Sequence, residues 1–154
     1  MIRLIQAETN THFEIARKLF LEYSESLDFD LDFQDFEDEL KDIKRIYSPP
    51  DGTIILAYRD TSLAGCVGMH RLGETICEMK RLYVMPQSRG LGLGRRLAYA
   101  IIERAREAGY LFMRLDTITA MTRAINLYNS LGFDEIDSYR HNPHEGARFY
   151  ELKL

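Results

Sequence analysis

Leu82–Arg96, reading LYVMPQSRGLGLGRR, decides how the rest of the chain is read. Gly90, Gly92 and Gly94 alternate here, and the apolar series Leu93, Leu97, Ile101, Ala105 and Ala108 begins among them at helical spacing. The glycines therefore stand at a helix N-terminus. There the first N–H groups lack intrahelical partners and the macrodipole adds about half a positive charge, which suits a phosphate or pyrophosphate. Glycine permits positive φ and close approach of the backbone to a ligand, and Arg89, Arg95 and Arg96 surround the turn with cationic donors. The two common glycine loops do not fit. No lysine follows Gly94 as a P-loop requires, and the third glycine of a dinucleotide fingerprint would fall on Arg95. Taken alone, the loop is also compatible with a glycine-rich turn that binds nothing.

The segment does match R-x-x-G-x-G, through Arg89, Gly92 and Gly94, after the strand-like EMKRLYV and Pro86. In this it resembles the acetyl-CoA motif of the GNAT superfamily of N-acetyltransferases. Downstream, LFMRLD reads as a strand, and AINLYNSLGF matches the family's A-x-x-L-Y-x-x-x-G-F through Ala124, Leu127, Tyr128, Gly132 and Phe133. Residues 52–154 follow the family order, and the first fifty fit it loosely.

The resemblance implies a site. Backbone groups of Leu82, Tyr83 and Val84 would pair with the pantetheine arm of acetyl-CoA, taken as co-substrate. Its pyrophosphate would lie on the turn formed by Arg89, Gly90, Leu91, Gly92, Leu93, Gly94 and Arg95. The N–H near Leu82 would stabilise the oxyanion, and Tyr128 would protonate the leaving thiolate, since a phenol with a pKa near 10 stays protonated at neutral pH. Outside this pattern, a tyrosine on an apolar helix face is core. Glu78 would be the catalytic base, although its alternation with Ile76, Lys80 and Leu82 also fits a salt-bridged strand residue; His70 is the alternative base, and His141 and His144 rank below it. One departure stands out: Met121 occupies a position where the family often has an asparagine that bonds the cofactor arm, leaving Thr117, Thr119 or Asn126 as replacements. The expected activity is acetyl transfer to a primary amine of a small molecule, peptide or protein. A non-catalytic CoA or acyl-CoA binding or sensing module is the alternative.

Composition sets the outer bounds. With 154 residues, 45% hydrophobic and 29% charged, the chain suits a single N-acetyltransferase domain over residues 1–154, and its net charge of -4 argues against a nucleic-acid partner. No metal site is expected. Cys66 and Cys77 lie on separate strand-like runs and read as buried thiols. Neither a secretory h-region nor a membrane-length apolar run appears, so a cytoplasmic protein without a membrane partner is expected, with a homodimer left open.

Along the chain, Ile2–Gln6 reads as a strand. Thr11 and Glu14 form a capping box for a helix bearing Ala16, Leu19, Phe20, Tyr23 and Leu27, and a second helical segment covers Gln34–Arg45. Between Glu22 and Asp42 ten acids face one base, Lys41. This is a solvated surface or, through Asp28, Asp30, Asp32 and Glu37, an acidic rim for a cationic acceptor. Thr53–Tyr58, Leu63–Met69 and Ile76–Val84 are joined too closely to be anything but antiparallel. The glycine turn and its helix then supply a crossover, so Leu111–Asp116 pairs parallel with Ile76–Val84. A helix from Met121 to Leu131 and strands Glu135–Tyr139 and Ala147–Leu154 complete an α/β fold. It has a mixed, mostly antiparallel sheet of six or seven strands, about four flanking helices and a central parallel pair.

Overall fold

The computed structural model describes residues 1–27, 31 and 33–154. Seven strands, β1 (Ile2–Gln6), β2 (Thr53–Arg59), β3 (Ser62–Arg71), β4 (Ile76–Val84), β5 (Phe112–Ile118), β6 (Asp134–Ile136) and β7 (Ala147–Lys153), form one sheet in the order β1-β2-β3-β4-β5-β7-β6. Every neighbouring pair is antiparallel except β4 and β5. Their parallel connection runs through a 3-10 turn at Pro86–Ser88 and helix α4 (Leu93–Glu107). Helices α1 (Asn10–Ser26), α2 (Phe33–Lys41) and the short α3 (Ile43–Ile46) precede β2, and α5 (Thr122–Ser130) follows β5. The fold class expected from sequence is thus found, with α3 as an addition. Among the described residues no helix is long and apolar enough to cross a membrane.

The central strands are buried on both faces, which explains why β2 reads as the unbroken apolar run IILA rather than as an alternation. Ile55 and Ala57 pack with Leu97, Ile101 and Ala105 of α4. Ile54 and Leu56 point the other way, into Phe13, Phe20, Ile43 and Tyr47. Both thiols are buried and free.

Three boundaries differ from the sequence reading. Helix α1 is capped at Thr9, whose Oγ1 accepts from the His12 N–H at 3.1 Å, while His12 Nδ1 accepts from the N–H groups of Glu8 and Thr9. A histidine does the work of the usual glutamate, so the box lies two residues earlier than Thr11–Glu14. The second helical segment divides at Asp42, whose φ of -100° and ψ of 17° leave the α region. Strand β6 ends at Ile136 because Tyr139 and Arg140 turn away to bond Glu78 on β4.

One irregularity positions the site. From Cys66 to Gly68 β3 advances two residues while β4, from Tyr83 back to Lys80, advances three; β4 therefore bulges at Arg81 and Leu82. Arg81 takes φ 60°, in the left-handed region that disfavours side chains. Its guanidinium donates to both Glu39 carboxylate oxygens, from Nε at 3.1 Å and Nη2 at 2.7 Å, and lies 5.0 Å from the Phe36 ring centre. The Tyr47 hydroxyl donates to Glu39 as well. Removing one side of a buried ion pair strands the other charge. Glu39→Ala should accordingly lower unfolding free energy by about 3–5 kcal/mol, a size expected for a broken buried pair. Urea denaturation checks this, and a loss below about 1 kcal/mol, the worth of an exposed pair, would show that the pair does not hold the bulge.

Candidate active site

Strands β4 and β5 pair at only three positions, Ile76↔Phe112, Cys77↔Met113 and Glu78↔Arg114. Beyond them β4 runs on to Val84 and β5 to Ile118, and two adjoining cavities lie along the parted strands. The first, of about 650 Å³, is walled by Leu82, Tyr83 and Val84, by Ser88, Arg89, Gly90, Gly92, Leu93 and Gly94 of the turn, and by Thr122, Arg123, Ala124 and Leu127 of α5. The second, of about 810 Å³, is walled by Met79–Leu82, Leu115–Ile118, Glu39, Tyr128 and the loop Arg140–His144. Tyr23, Leu82, Ile118, Met121 and Ala124 border both.

The turn's shape follows from its glycines. Gly90 and Gly92 have φ of 83° and 73°, and a Cβ built on either meets nothing within 4 Å. What demands glycine is therefore the backbone conformation and the open space beside it, where a ligand can touch the main chain. Gly92 is the N-cap of α4 and has no side-chain capping bond, so the first-turn N–H groups are available to an anion. Of the other residues expected here, Arg89 faces the cavity; its Nε donates to the Val84 carbonyl at 3.0 Å. Two lie off it: Leu91 is 50% exposed and borders neither cavity, and Arg95 donates to Ser130 Oγ at 2.7 Å. Tyr83 borders the first cavity, its hydroxyl donates to Glu22 at 2.7 Å, and its ring lies beside Tyr23 and Arg89.

Tyr128 borders the second cavity, with its ring beside those of Phe133 and Tyr150. Burial first, then the charges of Tyr23 and Asp116, hold its pKa above the ordinary 10, so it stays protonated. Among the described residues its hydroxyl has no hydrogen-bond partner.

Glu78 is placed differently. It is fully buried, borders neither cavity, and receives the Tyr139 hydroxyl at 2.6 Å and the Arg140 guanidinium; His70 Nε2 lies 3.0 Å away and Lys80 Nζ 3.8 Å. Burial, the largest single influence, raises its pKa, but the His70 bond, the Lys80 and Arg140 charges and the Tyr139 bond together bring it to about 2. His70 likewise borders neither cavity, whereas His141 and His144 border the second. Met121 is the N-cap residue of α5, and Thr117 Oγ1 donates to its sulfur at 3.5 Å. Thr119 bonds the Gly146 carbonyl and Asn126 borders neither cavity, so of the three replacements only Thr117 reaches a cavity wall. Asp28, Asp30 and Asp32 lie outside the described residues. Sequence reasoning missed Glu39–Arg81, Lys80, Asp116 and Tyr23, whose sequence context is that of ordinary strand or helix positions.

The sequence profile of the acetyltransferase (GNAT) family matches residues 12–133. The chain belongs to the GNAT family. An uncharacterized N-acetyltransferase of Schizosaccharomyces pombe is 41% identical over 140 residues, covering 90% of this chain and 86% of that protein. Among solved structures, a GNAT acetyltransferase of Staphylococcus aureus superposes with a TM-score of 0.82 at 23% identity, over 100% of this chain and 99% of that one. YncA of Salmonella typhimurium, solved with acetyl-CoA, superposes at 0.72 with 17% identity, over 99% of this chain and 94% of that one.

In this GNAT chain Glu78 has a folded pKa below its ordinary 4.5. Its stabilising contribution is therefore complete above pH 4.5 and is lost as the pH falls toward 2. Glu78→Gln should flatten this stretch of the acid limb when urea midpoints are compared from pH 5 to pH 2. Equal slopes in both proteins would mean that these partners do not hold the carboxylate.

Proposed function

We propose that this chain moves the acetyl group of acetyl-CoA to a primary amine of a small molecule, peptide or protein by direct attack on the thioester, within one domain over residues 1–154. The observation that carries the reading is the meeting of the two cavities at Leu82 and Ala124, with the glycine turn at one end and the Tyr128 phenol beside the junction. The residues present suit the coenzyme: the uncapped α4 amides and the open side of Gly90 and Gly92 suit a pyrophosphate, and the parted edge of β4 suits the pantetheine amides. A relative named as an N-acetyltransferase and a neighbour that contains acetyl-CoA support it. Two buried free thiols accord with a cytoplasmic setting.

Acetyl-CoA supplies an activated acyl carbon whose C–S bond breaks as the new N–C bond forms. The acceptor ammonium first loses a proton, and the neutral amine attacks. The backbone N–H near Leu82, at the bulge that borders both cavities, would stabilise the negative charge that develops on the carbonyl oxygen. Collapse returns the electron pair to sulfur, and Tyr128 Oη–H supplies its proton; the proton left on nitrogen restores the phenol through the cavity. The sum is one amide, one CoA thiol and one proton released. In this scheme Glu78 positions Tyr139 and Arg140, because a carboxylate held near pKa 2 by four partners is a weak base. Asp116 borders the acceptor cavity and takes the amine's proton toward water; among the described residues Asn142 Nδ2 alone bonds its side chain, at Oδ2.

Two substitutions test this. Tyr128→Phe removes one oxygen and should reduce turnover by about 10²- to 10⁴-fold with acetyl-CoA affinity and melting temperature nearly unchanged; near-parental turnover would defeat the acid assignment. Gly92→Val sets a β-branched residue at positive φ and fills the open side of the turn. It should weaken acetyl-CoA binding by at least about tenfold in calorimetry, because the added side chain occupies the space through which a ligand reaches the main chain. A folded variant that binds as tightly as the parent would put the coenzyme elsewhere.

A further inference from the structure

Continuing the Glu78↔Arg114 register by two residues on each strand brings Lys80 of β4 opposite Asp116 of β5, across the part where pairing has ceased. Both side chains border the acceptor cavity. Among the described residues they form no ion pair with each other. The carboxylate within ion-pair distance of Lys80 among the described residues is Glu78, 3.8 Å from Nζ and already engaged by His70, Tyr139 and Arg140; the charge of Glu39, itself bound to Arg81, also acts on it. An ammonium has three donors, and one long contact leaves it poorly satisfied in a site that removes most of its water. Burial first, then the Arg81 charge, holds the Lys80 pKa below its usual value against the opposing charges of Glu78 and Glu39. Asp116 forms no ion pair among the described residues: it accepts one neutral donor on Oδ2 and feels the Arg140 charge from the same wall. The other ionic groups on the wall are committed: Arg81 to Glu39, and Asp35 to a partner of its own. Arg140 uses one nitrogen on Glu78 and keeps further donors beside Lys80 on the same wall.

Resting on the acetyl-transfer reading above, we infer that the acceptor is a free amino acid, whose ammonium sits on Asp116 and whose carboxylate sits on Lys80 with Arg140 as second donor. A cation on one strand and an anion on the other, held apart by the strand separation, match the two charges of a zwitterion. An amine on a protein, or one without an acid group, leaves Lys80 unanswered. The cavity, at about 810 Å³, has room for a side chain beyond the two charged groups.

The test is a panel of the common amino acids, each beside its carboxamide and its decarboxylated amine, with thiol release from acetyl-CoA as readout and acetyl-CoA affinity measured separately. For the best acceptor, kcat/KM should exceed that of its carboxamide and its amine by at least on the order of 10²-fold, as expected when a buried charge loses its partner. In Lys80→Gln this ratio should narrow by at least about tenfold. Amines or carboxamides accepted as well as the amino acid, or a ratio unchanged in Lys80→Gln, would overturn the amino-acid assignment while leaving acetyl transfer intact. Failure of every amine together with no binding of acetyl-CoA would overturn both. The parent protein alone decides the first comparison, so it stands even where the variant fails to fold.

Discussion

The interruption of the β4–β5 ladder after Glu78↔Arg114 is the constraint on which the rest of the molecule depends. A parallel pair that stayed closed would fill the middle of the sheet and leave neither cavity. Separation leaves strand edges without ladder partners, so something other than ladder bonds must hold β4 in place. The bulge at Arg81–Leu82 and its anchor do so. Arg81 sits in a strained backbone conformation, and the two-pronged Glu39 bond, the Phe36 ring and the Tyr47 hydroxyl behind Glu39 hold its side chain so fully that the strain persists. The N-terminal helices are therefore part of the site: through α2 they fix the backbone that faces the meeting point of the cavities.

Two buried carboxylates divide the labour around the second cavity. Glu39 fastens the bulge on one side. Glu78 fastens Tyr139 and Arg140 on the other, and with them the segment that leads into the cavity-lining loop. Buried ion pairs are poor sources of net stability because desolvation opposes their attraction, but they define geometry sharply, since any other arrangement leaves a charge unpaired. That property suits a cavity that must keep its shape without being filled by side chains. The same bonds that place the neighbours of Glu78 lower its proton affinity, and on that ground the proposed scheme gives it a positioning role.

The GNAT relatives share the sheet over nearly the whole chain at low identity, which is the behaviour of a scaffold whose function lies in grafted groups. Among the charged groups on the wall of the second cavity, Lys80, Asp116 and Arg140 come from β4, β5 and the loop after β6, and individually they resemble any charged residue on a strand or loop.

Local sequence by itself determined the glycine turn, the helix it opens, the closely spaced antiparallel strands and the parallel crossover, because each follows from spacing, periodicity and backbone freedom within a few residues. Even so, the α1 cap moved two residues once His12 took the reciprocal role, since the choice between neighbouring threonines depends on which bond geometry closes. The tertiary structure alone decided how far β4 and β5 pair, that Glu39 meets Arg81 across 42 positions, and that Tyr139 and Arg140 reach Glu78 across 61 and 62. These are contacts between residues distant in sequence. Their energies depend on burial and on the orientation of several groups at once, and neither is encoded in the short-range pattern of any one segment.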